Sequence, residues 1–452
     1  MSRRERSPST PSSPREAKRQ KLEAPLTSED YKNGIMLAPM VRSGALPTRL
    51  FALKYGASLV WGPEIVDKAI LHAERVVDPV TGVVNYNGKS RAIWSTHPIE
   101  KPYLIYQIGS ADPELAVKAA KTVMNDVSGI DLNCGCPKPF STSGGMGAAL
   151  LTTPDLLCSI LTALRSAMPP EISVSAKIRL LPTQEDTLKL VERIIDTGVS
   201  ALTVHCRTRN MRKTEKATIE RLREVVEFVE KMGKGVAVIE NGDCLGYEDA
   251  KRVREITGAH SVMIATAAEA NPSCFSPTPL VDVHRTLIPS YLRVSRYLGN
   301  HWANSKFCGI QFRGNHVQNT RADEKEFKDK FAKAKGYDHM DDVAGDWSQG
   351  KAEFEEICGI IEARPQRVPR SISTPTDTTA TEPTLASDSL DAVGLPWETQ
   401  AQAETPKEWR PNPCLDDVLK TPKIPSNPAR MPIPAAVSGR DEPTPTPSPL
   451  IT

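Results

Sequence analysis

The sequence predicts an α/β fold: a TIM (β/α)8 barrel followed by a smaller helical domain, with disordered N- and C-terminal tails. Three observations carry this. Eight short runs rich in β-branched residues alternate with helical stretches between residues 34 and 268. The runs are nearly continuous in apolar residues, as strands covered on both faces require. Almost every run ends in a polar, charged or otherwise distinctive residue: Pro39, Glu64, Gln107, Asn133, Lys177 with Arg179, His205 with Arg207, and Asn241. In a closed barrel all eight C-terminal strand ends converge on one mouth, so these residues would face a common site. An open doubly wound sheet is the competing arrangement, because strand count alone does not show closure.

The strand runs are 34–40, 57–65, 102–109, 129–134, 173–180, 201–207, 235–242 and 261–268. Between them, Pro113 opens the helical stretch ELAVKAAKTVMND. Leu188, Leu190, Val191, Ile194 and Ile195 keep the spacing of a core-facing helical stripe, and Gly198 stops it. Residues 218–233 repeat that pattern and again end in glycine. From 280 the β-branched runs give way to helical periodicity with Tyr291, Tyr297, Trp302, Phe307 and Phe312. The expected division is a basic head over 1–28, a barrel over 29–278, a helical domain over 279–364 and a tail over 365–452. Arg285, Arg293, Arg296, Lys306 and Arg313 make the helical domain either a basic platform or an ordinary charged helical face.

Proline and glycine mark the folding unit. Of 38 prolines, four precede residue 26 and 17 follow residue 364, whereas 25 of the 27 glycines lie between. Ends rich in Pro, Ser and Thr offer too little apolar surface to offset the entropy of ordering. The net charge of +2 argues for neither nucleic acid nor membrane as a sum. No apolar run approaches the ~20 residues of a membrane helix, and the head has no apolar stretch of a secretory signal. Nine scattered cysteines in 452 residues suit a reduced compartment, cytoplasmic or nuclear. The cluster Lys18-Arg19-Gln20-Lys21 is a candidate import signal, and a monomer with no stable protein partner is expected.

The chemistry concentrates at the strand ends. The run 129–134 leads into Cys134-Gly135-Cys136-Pro137 and then a loop with Gly144, Gly145 and Gly147. A phosphate-binding P-loop needs Lys-Ser or Lys-Thr after its last glycine, but Ala148-Ala149 stands there. Cys134 and Cys136 are one residue apart with no second Cys/His pair to follow, so no metal is expected. Cys134 reads as a small buried hydrophobe, and Cys136 lies beyond the strand, over the mouth. A thiol there can serve as a general acid or, beside a base, as a nucleophile. Lys177, Arg179, His205 and Arg207 bring four potentially cationic groups to adjacent strand ends, which suits an anionic ligand. Asn241-Gly242 and residues 265–266 occupy the strand ends where many barrels bind phosphate through backbone N–H groups.

Leu37-Ala38-Pro39-Met40-Val41-Arg42, Asn133-Cys134-Gly135-Cys136-Pro137-Lys138, Gly144-Gly145-Met146-Gly147, Lys177-Ile178-Arg179 and Val204-His205 together resemble the tRNA-dihydrouridine synthases. Ser141-Thr142 and His301-Trp302-Ala303-Asn304 are most similar to the eukaryotic class that modifies position 20 of the tRNA D-loop. The resemblance covers about residues 33–315. It implies an FMN-binding TIM barrel with a C-terminal helical domain, and tRNA lying across both. NADPH reduces FMN, hydride passes to uracil C6, and a loop cysteine protonates C5; by motif position that acid is Cys136. Pro39, Met40 and Val41 would pack under the flavin, with Gln107 and His205 contacting it. Lys177 would sit at the N1/O2 edge. The phosphate would lie at Asn241, Gly242, Asp243, Ala265 and Thr266. Asn133, Arg179 and Arg207 would meet the nucleotide, whose base must flip out to be reached.

Three positions depart from the family pattern. Asp243 stands for a usual Gly, Thr266 for a common Arg, and Cys206 for the Gly after the histidine. A carboxylate at 243 would repel the phosphate unless it points away. The tail shows no pattern for a double-stranded-RNA-binding domain. The alternatives are a barrel oxidoreductase on a free pyrimidine and an RNA-binding relative that has lost catalysis.

Overall fold

The computed structural model describes residues 24–212, 214–314, 320–365 and 367. The head with its Lys18-Arg19-Gln20-Lys21 cluster and the Pro-rich tail lie outside the described residues. The strands are β1 (Ile35–Leu37), β2 (Val60–Trp61), β3 (Ile65–Val66), β4 (Glu74–Val77), β5 (Val84–Asn87), β6 (Ala92–Thr96), β7 (Leu104–Gly109), β8 (Gly129–Cys134), β9 (Ser173–Leu180), β10 (Ala201–Thr208), β11 (Ala237–Asn241) and β12 (Ser261–Ile264).

Nine of them form one sheet in the order β2-β1-β12-β11-β10-β9-β8-β7-β3, and β2 also pairs with β7, so the sheet closes. Every pairing in it is parallel. The second barrel position, expected as one strand over 57–65, is split into β2 and β3 on either side of Gly62-Pro63. Proline has no N–H for a central ladder, so the strand breaks there and resumes. The result is an eight-position parallel barrel, which settles closure against the open sheet.

The expected helices wrap the barrel. Pro113–Val123 starts at Asp112, whose carboxylate accepts from the Glu114 and Leu115 N–H groups, and it buries Ala116, Ala119, Ala120 and Val123. Gln184–Asp196 starts at Thr183 and buries Leu190, Val191, Ile194 and Ile195; Gly198 follows at a φ of 82°. The lower barrel interior is apolar, with Met36, Trp61, Ile105, Ala201, Ala237, Ile239 and Met263 packed together. Tyr31 closes that end, its hydroxyl sharing a hydrogen bond with Ser173 Oγ at 2.6 Å.

An element absent from the sequence reading is the antiparallel sheet β4-β5-β6 between the second and third barrel positions. Tyr86 of β5 and Trp94 of β6 pack their rings at 5.2 Å with a 40° tilt, and Trp94 meets Tyr106 of β7 edge-on at 4.8 Å. Aromatic contact thus anchors the insertion to the barrel wall. The signal was present in the sequence as two β-branched runs around Asp78-Pro79 and Gly82.

The helical region follows, with helices Ile288–Tyr297, Trp302–Gln311, Arg321–Lys333 and Gln349–Glu362. It docks on the barrel helix Leu46–Lys54, where Tyr291 packs on Phe51 at 5.5 Å and shares a hydrogen bond with Thr48 Oγ1 at 3.0 Å. Three of its five singled-out cations are spent inside it. Arg293 pairs with Glu353 and donates to the Ala344 carbonyl. Arg296 pairs with Asp338 and lies over the Trp347 ring, and Lys306 donates to the Ala332 and Ala334 carbonyls. These residues hold the helices to one another; Arg285 and Arg313 remain exposed.

One buried ion pair joins several of these parts. Arg49 and Glu100 are both wholly buried, with two hydrogen bonds between them at 2.9 and 2.7 Å. Arg49 also donates to the carbonyls of Gly44 and Ser95. Removing one partner strands the other charge in the interior. Arg49→Met is expected to cost about 3–5 kcal/mol in urea unfolding, and adding Glu100→Leu to recover most of it. A single variant within about 1 kcal/mol of wild type would contradict this role.

Candidate active site at the barrel mouth

Register between neighbouring strands builds the mouth in layers. Gln107 of β7 stands opposite Asp131 of β8, which stands opposite Ser175 of β9. One layer higher, Asn133 faces Lys177, and Lys177 faces Thr203. Above that, Arg179, His205 and Asn241 run across β9, β10 and β11. Side chains two apart on a strand share a face, so each layer stacks on the one below.

Asp131 is the floor of the site and was missed from the sequence. Fully buried, it accepts from Gln107 Nε2 at 2.8 Å and Ser175 Oγ at 2.7 Å. The Gln107 amide is thereby oriented, with its N–H group turned to Asp131 and its carbonyl left for another partner. Burial raises the Asp131 carboxyl to about 6, against the pull of those hydrogen bonds and of Lys177. The signal was the alternation of Asp131 with Asn133 in GIDLNC, which puts both on the barrel's inner face.

The cations above it are crowded and dry. Burial, and then the charge of Arg179, lowers Lys177 to about 8. His205 falls to about 2, first through burial and then through Lys177, Arg179 and Arg207. Its ring is therefore neutral at working pH. Arg207 lies 3.3 Å from His205 Nε2. Arginine can only donate, so Nε2 accepts and the ring proton sits on Nδ1.

Arg179 and Arg207, both expected at the nucleotide, are held in place by the loops themselves. Arg179 donates to the Gly135 carbonyl at 2.8 Å and the Thr208 carbonyl at 2.9 Å. Arg207 forms two hydrogen bonds to Asp243 at 2.5 and 2.7 Å and one to the Glu215 carbonyl at 2.7 Å. Asp243 also accepts from the Ala217 N–H at 2.7 Å. Its φ of 61° is the left-handed conformation that glycine adopts freely and Asp tolerates. The carboxylate is committed to Arg207 and Ala217. Next to it, Gly242 is tightly enclosed, since a Cβ there would come within 2.8 Å of Ala217 Cβ.

Asn241 donates to the Met263 carbonyl at 2.8 Å. Ala265 caps the short helix Thr266–Ala270, on which Thr266 is exposed. Pro39 and Met40 are half-buried in the loop after β1, and Val41 is 53% exposed. The Met40 carbonyl accepts from the Gly44 N–H at 2.8 Å.

The thiol loop is organised by Asn133. Its Oδ1 accepts from the Gly135 N–H at 3.0 Å and the Cys136 N–H at 3.1 Å. Gly147 closes the loop's far side, where a Cβ would come within 2.6 Å of the Cys136 carbonyl. Cys136 is half-buried. Burial and the Glu64 carboxylate push its thiol up, outweighing Arg179. A thiol held above its ordinary value stays protonated near neutrality, which suits an acid better than a nucleophile. Cys134, by contrast, is fully buried, as expected of a small hydrophobe. Among the described residues no three His, Cys, Asp or Glu side chains are grouped to hold a metal, and no helix is long and apolar enough to cross a membrane.

The mouth of a parallel barrel thus brings the Cys136 loop together with the basic residues Lys177, Arg179 and Arg207. The family model described as dihydrouridine synthase (Dus) matches residues 36–335. The chain belongs to the dihydrouridine synthase family. It is 50% identical over 300 residues to a Schizosaccharomyces pombe protein named tRNA-dihydrouridine(20) synthase [NAD(P)+], covering 65% of this chain and 62% of that one. A Saccharomyces cerevisiae protein of the same name is 40% identical over 297 residues, covering 61% and 76%. The S. cerevisiae tRNA-dihydrouridine(20a/20b) synthase [NAD(P)+] is 31% identical over 240 residues, covering 53% and 60%. The chain thus spans less than two thirds of the length of the first of these relatives.

Asp131 gives the site a pH signature. Its native value of about 6 lies above the ordinary ~3.9, so the native state binds more protons between those values and stability falls as pH rises through them. Asp131→Asn removes the titration. Urea unfolding is expected to show wild type losing roughly 2 kcal/mol relative to the variant from pH 4 to pH 7. A difference between the two that stays constant with pH would refute it.

Proposed function

We propose that this chain reduces a uridine of the tRNA D-loop, at position 20, to 5,6-dihydrouridine, using FMN and NADPH. The observation that carries the reading is the half-buried Cys136 thiol on the loop that follows β8, where Asn133 stands opposite Lys177. The family relationship and the names of the relatives support it.

The residues present fit FMN. Lys177 is a largely buried cation that makes no hydrogen bond among the described residues. Thr203 Oγ1, level with it, is buried without a partner. A flavin edge supplies acceptors for such groups, and the Gln107 carbonyl is oriented to accept a ring N–H. Lys177 would hold the N1/O2 edge, Gln107 and His205 the ring, and Pro39, Met40 and Val41 would pack beneath it. Asn241, Gly242, Asp243, Ala265 and Thr266 would hold the phosphate, with the Asp243 carboxylate kept on Arg207. That pairing removes the main motive for reading the chain as an inactive relative.

When bound, FMN reduced by NADPH supplies the hydride for uracil C6. Negative charge then develops at C5, and Cys136 supplies the proton there. Asn133 sets the loop so that the thiol is presented, and Arg179 anchors the same loop from β9. The extruded nucleotide lies among Asn133, Arg179 and Arg207, and the two arginine charges favour its phosphates. Exposed cations on the strand-end loops, Arg42, Lys138, Arg209 and Arg212, rim the mouth. Arg42 reaches over the Phe307 ring of the helical region at 5.3 Å, so the cationic rim meets that region. A free pyrimidine would have no use for that rim.

Purified full-length protein is expected to be yellow and to form dihydrouridine at position 20 of D-loop transcripts with NADPH. Cys136→Ala should keep the flavin and lose more than about 100-fold in dihydrouridine formation. Undiminished formation by the variant would refute the acid assignment, and a colourless wild type the flavin.

A further inference from the structure

We propose that Phe140 is a stacking platform for a base next to the extruded uridine, and that the hydrogen bond between Ser141 and Glu64 holds this platform over the mouth. The inference rests on the reading of the chain as a D-loop uridine reductase. Phe140 lies on the short helix Pro139–Thr142, in the loop that carries Cys136. It is 50% exposed, the only exposed phenylalanine among the described residues. Its neighbour Ser141 is wholly buried and donates to Glu64 Oε1 at 3.0 Å. Ser141 follows the fourth barrel strand, β8, whereas Glu64 lies between the two halves of the second position, β2 and β3. To reach it, the helix must cross the end of β7. Gly109, the last residue of β7, leaves the room, since a Cβ there would come within 2.6 Å of Glu64 Oε1. The helix therefore lies across the mouth, with its serine turned in and its phenylalanine turned out.

The ring is carried on a stiff support. The Lys138 carbonyl accepts from the Ser141 and Thr142 N–H groups, both at 3.0 Å, and the Pro139 carbonyl from Ser143 at 2.9 Å. Pro137 and Pro139 fix the backbone on either side of Lys138. An apolar ring exposed here contributes little to the core, and its surroundings suit a nucleic acid. Between Gly135 and Pro154 the chain has no Asp or Glu, and exposed Lys138 is its one cation. A flat apolar surface beside cations matches a base on its phosphate backbone. A second copy of the chain would set these cations against their own kind. When the target base leaves its stack, each neighbouring base loses a partner on one face. Phe140, four residues beyond the thiol that meets the extruded base, is placed to cover one of those faces.

A double-mutant cycle on the full-length chain tests this, with tRNA transcripts as the probe. Phe140→Ala should weaken binding of intact tRNA roughly 5- to 100-fold. Phe140→Trp should restore most of it, and Phe140→Leu, apolar but not flat, should not. On transcripts made abasic at each nucleotide flanking the target in turn, Phe140→Ala should cost less than about 2-fold for one of them, because the ring has already lost its base. An equal loss on the intact and on both abasic transcripts overturns the stacking role. Salt supplies a second readout: Lys138→Ala should lower the slope of log K against log salt by about 0.7–0.9, and Phe140→Ala should not change it. A slope that falls with Phe140→Ala makes the effect electrostatic and overturns the proposal. Ser141→Ala should also weaken binding and add little to Phe140→Ala; fully additive losses overturn the anchoring role. If Phe140→Ala binds tRNA as wild type does but breaks up a dimer in sedimentation, the ring belongs to a second copy and the proposal fails. Wild type that binds tRNA yet forms no dihydrouridine would instead defeat the reading beneath, and this inference with it.

Discussion

The site depends on one constraint, the parallel register of β8, β9 and β10. With Asn133 opposite Lys177, and Arg179 opposite His205, the polar residues of three strands fall into successive layers inside one wall. A slip of a single residue would turn Asp131, Asn133, Lys177, Arg179 and His205 toward the surrounding helices and bring apolar side chains to the mouth. The register is protected by what lies behind it. Ile130, Leu132, Ile178, Leu202 and Val204 are all fully buried against the outer helices, and none could face the mouth without losing that cover.

Placing charges in this interior then sets their protonation. Desolvation is the largest influence on Asp131, Lys177, His205, Glu64 and Cys136 alike. It lifts the acids and lowers the bases, so the interior favours neutral forms. What remains charged is held by hydrogen bonds or by a partner. Arg207 on Asp243 is the clearest case, where a carboxylate unexpected at the proposed phosphate site anchors a mouth arginine.

Much of this was legible in the sequence. The eight runs and the residues ending them located the barrel and its mouth, because buried parallel strands must be apolar and their ends need not be. Cys136 stood out by lying beyond its strand in a glycine-bearing loop. Less legible were features that depend on contacts between distant residues. Asp131 lies 24 residues from Gln107, and Ser141 lies 77 residues from Glu64; neither pairing leaves a local pattern. The direction of the Asp243 side chain is likewise a matter of φ and of Arg207. The cations of the helical region looked like a surface until Glu353, Asp338 and two carbonyls claimed three of them. The insertion β4-β5-β6 did carry a local signal, but its strands do not alternate with helices as the barrel strands do.

The central claim is that the mouth delivers hydride to C6 from the flavin side and a thiol proton to C5. Turnover in deuterated water with unlabelled NADPH, followed by mass spectrometry and NMR of the released nucleoside, separates the two deliveries. The thiol proton and the N5 hydrogen of reduced flavin both exchange with solvent, so the account predicts one deuterium at C5 and one at C6, each on a single face and the two on opposite faces of the ring. Both deuteriums on the same face, or deuterium equally on both faces of C5, would contradict it.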